Sequence, residues 1–137
     1  MADPEPAGAA IVHGDLRLGN FIVGDEGLRA IVDWEFWHLG DPVEDLAWLC
    51  ARPWRFGADD RVAAGLGGVA ELLDGYGIDV DGERLRWWDV FSQAKRGAYC
   101  ARQAALRRDG AHDSLERTVV ARRVAEAEWD MLELIGP

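Results

Sequence analysis

The sequence predicts an α+β fold that is mostly helical, with one β-hairpin followed by about four helices. An apolar run at 21–23 and a segment at 28–32 that is apolar except for Arg29 flank a Gly/Asp-containing segment at 24–27, which is the pattern of strand, turn and strand. Beyond residue 41, apolar residues recur at steps of three or four, as in helices that pack one face. A chain of 137 residues with 49% hydrophobic and 29% charged residues has the size and composition of one folded domain.

Each element before residue 41 is predicted from the composition of its own segment. Residues 1–9 hold two prolines and no periodicity, so we expect a disordered tail or linker remnant there and the folded domain over 10–137. An apolar run at 10–12 leads into HGDLRLGN at 13–20, which we interpret as a loop. Because the two ends of a hairpin lie side by side, Asn20 before its first strand and Asp33 after its second should be neighbours.

The helices are predicted from capping residues and periodicity. Asp41 and Pro42 are typical of a helix N-terminus, and this first helix should run to about Ala51. Three more are expected at about 59–74, 81–108 and 114–135, the second ending at a glycine. We interpret the basic run from Lys95 to Arg108 as a solvated face. The third helix should pack the apolar positions Leu85, Trp88, Phe91, Ala94, Ala98 and Tyr99, and we place most of the seven tryptophans in the core.

Charge and cysteine content narrow the class of protein. The net charge of −10 argues against a nucleic-acid partner. No run approaches the ~18 apolar residues of a membrane span, and the N-terminus lacks a secretory signal pattern, so we expect no membrane association and a cytoplasmic location. Cys50 and Cys100 have no metal-ligand spacing and are expected to be reduced thiols.

Three polar residues are placed for phosphoryl transfer: Asp15 and Asn20 on the loop, and Asp33 after the hairpin. Transfer from a nucleotide requires a carboxylate that orients the acceptor hydroxyl and takes its proton. It also requires a carboxylate and an amide oxygen that hold Mg²⁺. The acidic residues between 33 and 60 lean toward a cationic or amine-bearing acceptor.

The motifs resemble those of a known family. HGDLRLGN at 13–20 matches the kinase catalytic-loop pattern H-x-D-L-x-x-x-N. Together with the hairpin, DWE at 33–35 and LGDPVEDLA at 39–47, it resembles the aminoglycoside phosphotransferase (APH) family of small-molecule kinases, and most of all its broad bacterial and acyl-CoA-dehydrogenase-associated branch. The resemblance is strong over residues 11–50. It implies the C-terminal lobe of a protein-kinase-like fold, with the catalytic loop and hairpin followed by helices.

The resemblance implies a role for each matching residue. Asp15 corresponds to the catalytic base, and Asn20 and Asp33 correspond to the Mg²⁺ ligands that hold ATP. His13 is expected to pack and hydrogen-bond beneath the loop, and Asp45 to brace the loop by accepting backbone hydrogen bonds. Three weaker candidates contact the substrate in this interpretation: Arg17, Glu35 and Trp37.

The implied function is ATP-dependent phosphorylation of a hydroxyl group on a small molecule. The family also uses an N-terminal lobe with a strand lysine, whereas Lys95, the only lysine here, falls in a predicted helix. We therefore expect the N-terminal lobe in cis or in trans, or a second copy of the chain, to cover exposed apolar surface. We expect the isolated chain to be weak or inactive.

Two other functions remain open at this point. One is a non-catalytic, kinase-like interaction module that keeps only the helices of the lobe. The other is a metal-dependent phosphoesterase with a dinuclear site formed by His13, Asp15, Asp33 and His38, since His and Asp suit such metals.

Overall fold

The computed structural model describes residues 9–77, 79–111 and 113–136, so most of the expected N-terminal tail, residues 1–8, lies outside the described residues. The described chain up to residue 40 contains four short strands in two antiparallel pairs. The second and third strands form the predicted hairpin, and the first strand pairs with the fourth. The fourth strand was not predicted. The strands are β1 (Ala10–Val12), β2 (Phe21–Gly24), β3 (Gly27–Ile31) and β4 (His38–Gly40).

Helices make up most of the remaining described residues, so the α+β, mostly helical class is confirmed. Their bounds are α1 (Val43–Cys50), α2 (Val69–Tyr76), α3 (Gly82–Arg108), α4 (Leu115–Ala121) and α5 (Val124–Ile135).

Two predicted helices were wrong in extent. Residues 59–68 are not helical, because Ala64 and Gly65 have positive φ angles and a tight turn pairs Ala63 with Gly67. The last predicted helix is two helices, α4 and α5. At Arg123 the backbone (φ −92°, ψ 13°) leaves the helical region, and its N–H donates to the carbonyl of Val120, three residues back.

Helix α1 forms the centre of the core in the first part of the chain. Its N-terminus lies at Pro42, and the carboxylate of Asp41 accepts a hydrogen bond from the Val43 N–H at 2.9 Å. Most of its side chains are buried, as is Val12 of β1. Because Asp45 and Trp48 lie on this rigid, buried helix, their polar atoms are held in fixed positions.

The described chain divides into two compact units, residues 1–89 and 90–137. In the second unit the predicted packing of α3 was wrong, since Phe91 and Tyr99 are exposed. The buried side chains are Ser92, Gln93, Arg96, Cys100 and Gln103. The interpretation of the basic run as solvated fails at Arg96, because its guanidinium donates to Asp130 of α5 at 2.6 Å. Within the described residues, no helix is long and apolar enough to cross a membrane.

Candidate active site

His13 holds the 13–20 loop from beneath. Its side chain is buried, and its ring lies 4.5 Å from that of Trp34. Nε2 lies 2.8 Å from the carbonyl oxygen of Val32, and Nδ1 lies 3.2 Å from the backbone N of Asp15. Because a carbonyl only accepts and a backbone N–H only donates, the neutral tautomer protonated on Nε2 satisfies both contacts. The structure thus places His13 as a tie between the loop and the end of the hairpin.

Gly14 separates His13 from Asp15 at a point where the loop is tightly packed. Its φ is +81°, and a Cβ built there would lie 2.5 Å from the carbonyl oxygen of Phe36. A left-handed conformation and a close backbone contact both favour glycine. The loop therefore reaches its geometry only with glycine between these two residues.

Asp45 supports the same loop from helix α1. Its Oδ2 accepts a hydrogen bond from the His13 N–H at 2.6 Å, and its Oδ1 accepts one from the Gly14 N–H at 2.9 Å. Burial raises the pKa of this carboxyl above its ordinary value, and the two backbone hydrogen bonds oppose that shift. The structure places Asp45 beneath the loop, where it fixes the backbone on the N-terminal side of Asp15.

Asp15 lies at the centre of the loop with a side chain that is 20% exposed. Its Oδ2 accepts hydrogen bonds from Arg17 Nε and from Asn20 Nδ2, both at 3.1 Å. Its Oδ1 accepts one from Trp48 Nε1 at 2.9 Å. The carboxylate is therefore held in one orientation by three donors and still reaches solvent, as a proton acceptor for a bound substrate must.

Arg17 was a candidate for substrate contact, and the structure pairs it with Asp15. Its guanidinium carbon also lies 5.4 Å from the centre of the Trp54 ring, within the range of a cation–π contact. A Cβ at Gly19 would lie 2.3 Å from Arg17 Nη1, so that glycine leaves room for the guanidinium.

Asn20 turns its amide oxygen away from Asp15. Both hydrogens of its amide nitrogen serve Asp15, one at the backbone carbonyl (2.9 Å) and one at Oδ2 (3.1 Å). Asn20 is 1% exposed, and its Oδ1 has no hydrogen-bond partner within the described residues. Because a buried polar atom without a partner is costly, this oxygen has the character of a ligand atom.

Asp33 follows the second strand of the hairpin, next to a residue that contacts Asn20. The Val32 N–H donates to the Asn20 carbonyl at 2.9 Å, which brings the two ends of the hairpin together. Asp33 has a left-handed backbone (φ 63°, ψ 54°) and is exposed, and its carboxylate has no hydrogen-bond or ion-pair partner among the described residues. An amide oxygen and a carboxylate, both uncommitted, fit the hard-oxygen preference of Mg²⁺.

Glu35 and Trp37 lie on the exposed segment after Asp33. A 3₁₀ turn at Trp34–Phe36 begins this segment, and the Trp34 indole N–H donates to the carbonyl of Ile31 at 2.7 Å. Glu35 is exposed, and Trp37 is 59% exposed. The structure therefore leaves both side chains accessible. The expectation that most of the seven tryptophans are in the core was wrong, because only Trp48 is buried. Trp54, Trp87 and Trp88 are half-buried, and Trp34, Trp37 and Trp129 are exposed.

Sequence reasoning missed the contacts of Asp41. We predicted Asp41 as the N-cap of a helix beginning at Pro42, whereas the N-cap position is Pro42 and Asp41 accepts the hydrogen bond of the Val43 N–H from one residue earlier. Its carboxylate also accepts hydrogen bonds from Arg84 Nε (2.8 Å) and Nη2 (2.6 Å) and from Trp88 Nε1 (2.9 Å). Burial alone would raise the pKa of Asp41, yet the hydrogen bonds from Arg84, Val43 and Trp88 outweigh it and leave the pKa below its ordinary value. No local signal links Asp41 to an arginine on α3.

Sequence reasoning also missed the contact of Trp48 with Asp15. Trp48 is buried, and its ring lies 5.8 Å from that of Trp54. The available signal was its spacing on α1. Trp48 lies three residues after Asp45, and residues three apart share a helix face, so it shares the face that meets the loop.

The dinuclear phosphoesterase alternative finds no support in the geometry. Both ring nitrogens of His13 are already in contact with backbone groups. Those of His38 contact the Phe36 carbonyl (3.0 Å) and Glu44 Oε2 (3.1 Å). In the described part of the chain, no group of three or more His, Cys, Asp or Glu side chains is arranged to hold a metal ion.

Comparisons with known proteins agree with the motifs. A model of the phosphotransferase enzyme family APH matches residues 3–88, which contain the loop, the hairpin and α1. Acyl-CoA dehydrogenase family member 10 of Mus musculus is 43% identical over 49 residues, which are 34% of this chain and 5% of that protein. The chain thus spans a small fraction of that relative's length. No solved structure matches the chain. Since the family model covers more than half of the sequence, the chain belongs to the APH phosphotransferase family.

Proposed function

We propose that residues 10–137 form the later part of the C-terminal lobe of an ATP-dependent kinase that phosphorylates a hydroxyl group of a small molecule. The observation that carries this proposal is which polar atoms near the two ends of the hairpin have hydrogen-bond partners and which do not. Asp15 is oriented by three donors, while the amide oxygen of Asn20 and the carboxylate of Asp33 have no hydrogen-bond or ion-pair partner in the described part of the chain.

Each residue then has a defined task. Asp15 orients the acceptor hydroxyl and takes its proton as the acceptor oxygen bonds to phosphorus and ADP leaves. Asn20 Oδ1 and the Asp33 carboxylate are the ligands that would hold Mg²⁺, which neutralises phosphate charge. His13 and Asp45 keep the loop in place through their hydrogen bonds.

The proposal extends to the acceptor and to the rest of the active site. Trp37 and Glu35 offer an accessible ring and an accessible carboxylate beside Asp33, which suits an acceptor that carries an amine. The opposite wall of the nucleotide site comes, in this proposal, from an N-terminal lobe in cis or in trans. A cytoplasmic location fits a site that uses ATP.

Binding of Mg-ATP to the chain tests the proposal. We expect millimolar Mg-ATP to raise the thermal unfolding temperature of the wild type, because a ligand at about 100 times its Kd adds roughly 2.7 kcal/mol to the free energy of unfolding. Asp33→Ala should abolish the increase. Asp25→Ala is the matched control, since it removes an exposed carboxylate from the turn at the other end of the hairpin.

A non-catalytic interaction module is the second candidate, favoured by one observation. Ile11 and Leu39 lie opposite each other in the β1–β4 sheet, and both are more than 60% exposed. If Mg-ATP has no effect on the wild type, or acts equally on Asp33→Ala, the kinase proposal fails and the module is favoured.

A further inference from the structure

The hydrogen bonds to the Asp15 carboxylate are divided unequally between its two oxygens. Oδ2 accepts two, from Arg17 Nε and Asn20 Nδ2, and Oδ1 accepts one, from Trp48 Nε1. An ionised carboxylate has about four acceptor positions, two on each oxygen. Within the described residues, Oδ2 is therefore fully used and Oδ1 has one position left.

We propose that Oδ1 is the oxygen of Asp15 that takes the proton of the acceptor hydroxyl, and that Trp48 is the positioning residue that presents it. This inference rests on the proposed function. The hydroxyl hydrogen-bonds to the open position on Oδ1. As its oxygen bonds to phosphorus, its proton moves to Oδ1 and the bond to the leaving ADP breaks.

The chemistry of the indole suits this task. An indole N–H donates a hydrogen bond and accepts none, so Trp48 orients the carboxylate and does not compete with it for the proton of the hydroxyl. The alternative partner, a hydroxyl, would be able to donate or accept and would leave the direction of the bond open.

The surroundings of Trp48 hold the indole in place. Trp48 is 7% exposed on the buried helix α1, and its ring packs against that of Trp54. The same Trp54 ring lies beneath the guanidinium of Arg17. Trp48, the donor to Oδ1, and Arg17, one of the two donors to Oδ2, are thus supported by one pair of packed rings.

Tryptophan NMR on the chain itself tests the contact. Trp48→Phe keeps a ring in the core, removes the donor and identifies the Trp48 indole signal by its loss. We expect Asp15→Asn to shift that indole proton to higher field, because a hydrogen bond to a charged oxygen is replaced by one to a neutral oxygen. Asp33→Asn should leave it in place. An unchanged Trp48 signal in Asp15→Asn overturns the proposal.

Hydrolysis of Mg-ATP, with water as the acceptor, tests the catalytic consequence. We expect Trp48→Phe to lower the rate of phosphate release by about tenfold to a hundredfold and to leave the Mg-ATP concentration at half-maximal rate unchanged. Trp129→Phe is the control, because it makes the same substitution at an exposed tryptophan outside the site. Its rate of phosphate release should match that of the wild type.

The outcomes separate this inference from the proposed function. Absence of any Mg-ATP stabilisation contradicts the kinase function itself. If the wild type binds Mg-ATP, three results of the hydrolysis assay overturn the inference alone. The first is an unchanged rate in Trp48→Phe, and the second is a loss in Trp48→Phe that appears only as weaker Mg-ATP binding. The third is a wild type without Asp15-dependent hydrolysis.

Discussion

Gly14 gives the most direct prediction at the scale of one residue. Gly14→Ala should lower the free energy of unfolding by about 1–3 kcal/mol, because the new side chain takes a left-handed conformation and meets the Phe36 carbonyl. Gly27→Ala is the matched control, since Gly27 also has a positive φ (+105°) but a Cβ there meets nothing within 4 Å. Urea unfolding measures both. Equal losses would show that the contact with Phe36 has no cost.

At the scale of elements, Asp41 and Arg84 join the start of α1 to the start of α3. Both side chains are only 10–13% exposed, so removing one partner leaves the other charge poorly solvated. Arg84→Met should therefore cost about 3 kcal/mol at neutral pH, as breaking a buried pair does. The double variant Arg84→Met with Asp41→Asn should recover part of this loss, because it no longer leaves the Asp41 charge unpaired.

The control for this pair is Arg102→Met, which replaces an exposed arginine on the same helix. Its free energy of unfolding in urea should match the wild type, because exposed charges contribute little. Losses of similar size in Arg84→Met and Arg102→Met would mean that the Asp41–Arg84 pair does not stabilise the junction of α1 and α3.

At the scale of the whole molecule, three carboxyl groups set the pH dependence of stability. Burial raises the pKa of Asp89 to about 6 against the partial opposition of Arg55, and burial also raises the pKa of Asp45. Between pH 4 and 6 the folded chain keeps protons that the unfolded chain releases, so stability falls as the pH rises. Asp41 acts in the opposite direction, since its stabilisation is lost as the pH falls below about 4 through its lowered pKa.

Urea unfolding between pH 3 and 8 should therefore show maximum stability near pH 4. Asp89→Asn should flatten the fall toward pH 6 and be more stable than the wild type at pH 7, because it removes a buried charge. Asp25→Asn, at an exposed position, should follow the wild-type curve. Repulsion within a chain of net charge −10 at pH 7 also lowers stability as the pH rises. The comparison is therefore made in salt that screens this repulsion. A wild-type curve that rises from pH 4 to 6 would contradict these assignments.

Much of the fold was predictable because its signals are local. The hairpin strands, the end of α2 at Gly77 and the bounds of α3 agree with the sequence within about a residue or two. The errors lie where distant groups decide the structure. β4 exists because it pairs with β1, a contact between residues 28 apart at Ile11 and Leu39. The burial of Arg96 on α3 depends on its ion pair with Asp130 of α5, 34 residues away.

The candidate residues Asp15, Asn20 and Asp33 were found from their order along the chain, because a loop and a hairpin bring their own ends together. Their environment was not found in this way. The hydrogen bond from Trp48 to Asp15 and the ion pair of Asp41 with Arg84 join residues 33 and 43 apart. The local sequence pattern alone was sufficient to establish the loop, the hairpin and the family. The tertiary structure was needed to show which oxygen of Asp15 accepts the Trp48 hydrogen bond and which carboxyl groups have raised pKa values. These properties depend on distances and burial between residues far apart in the sequence.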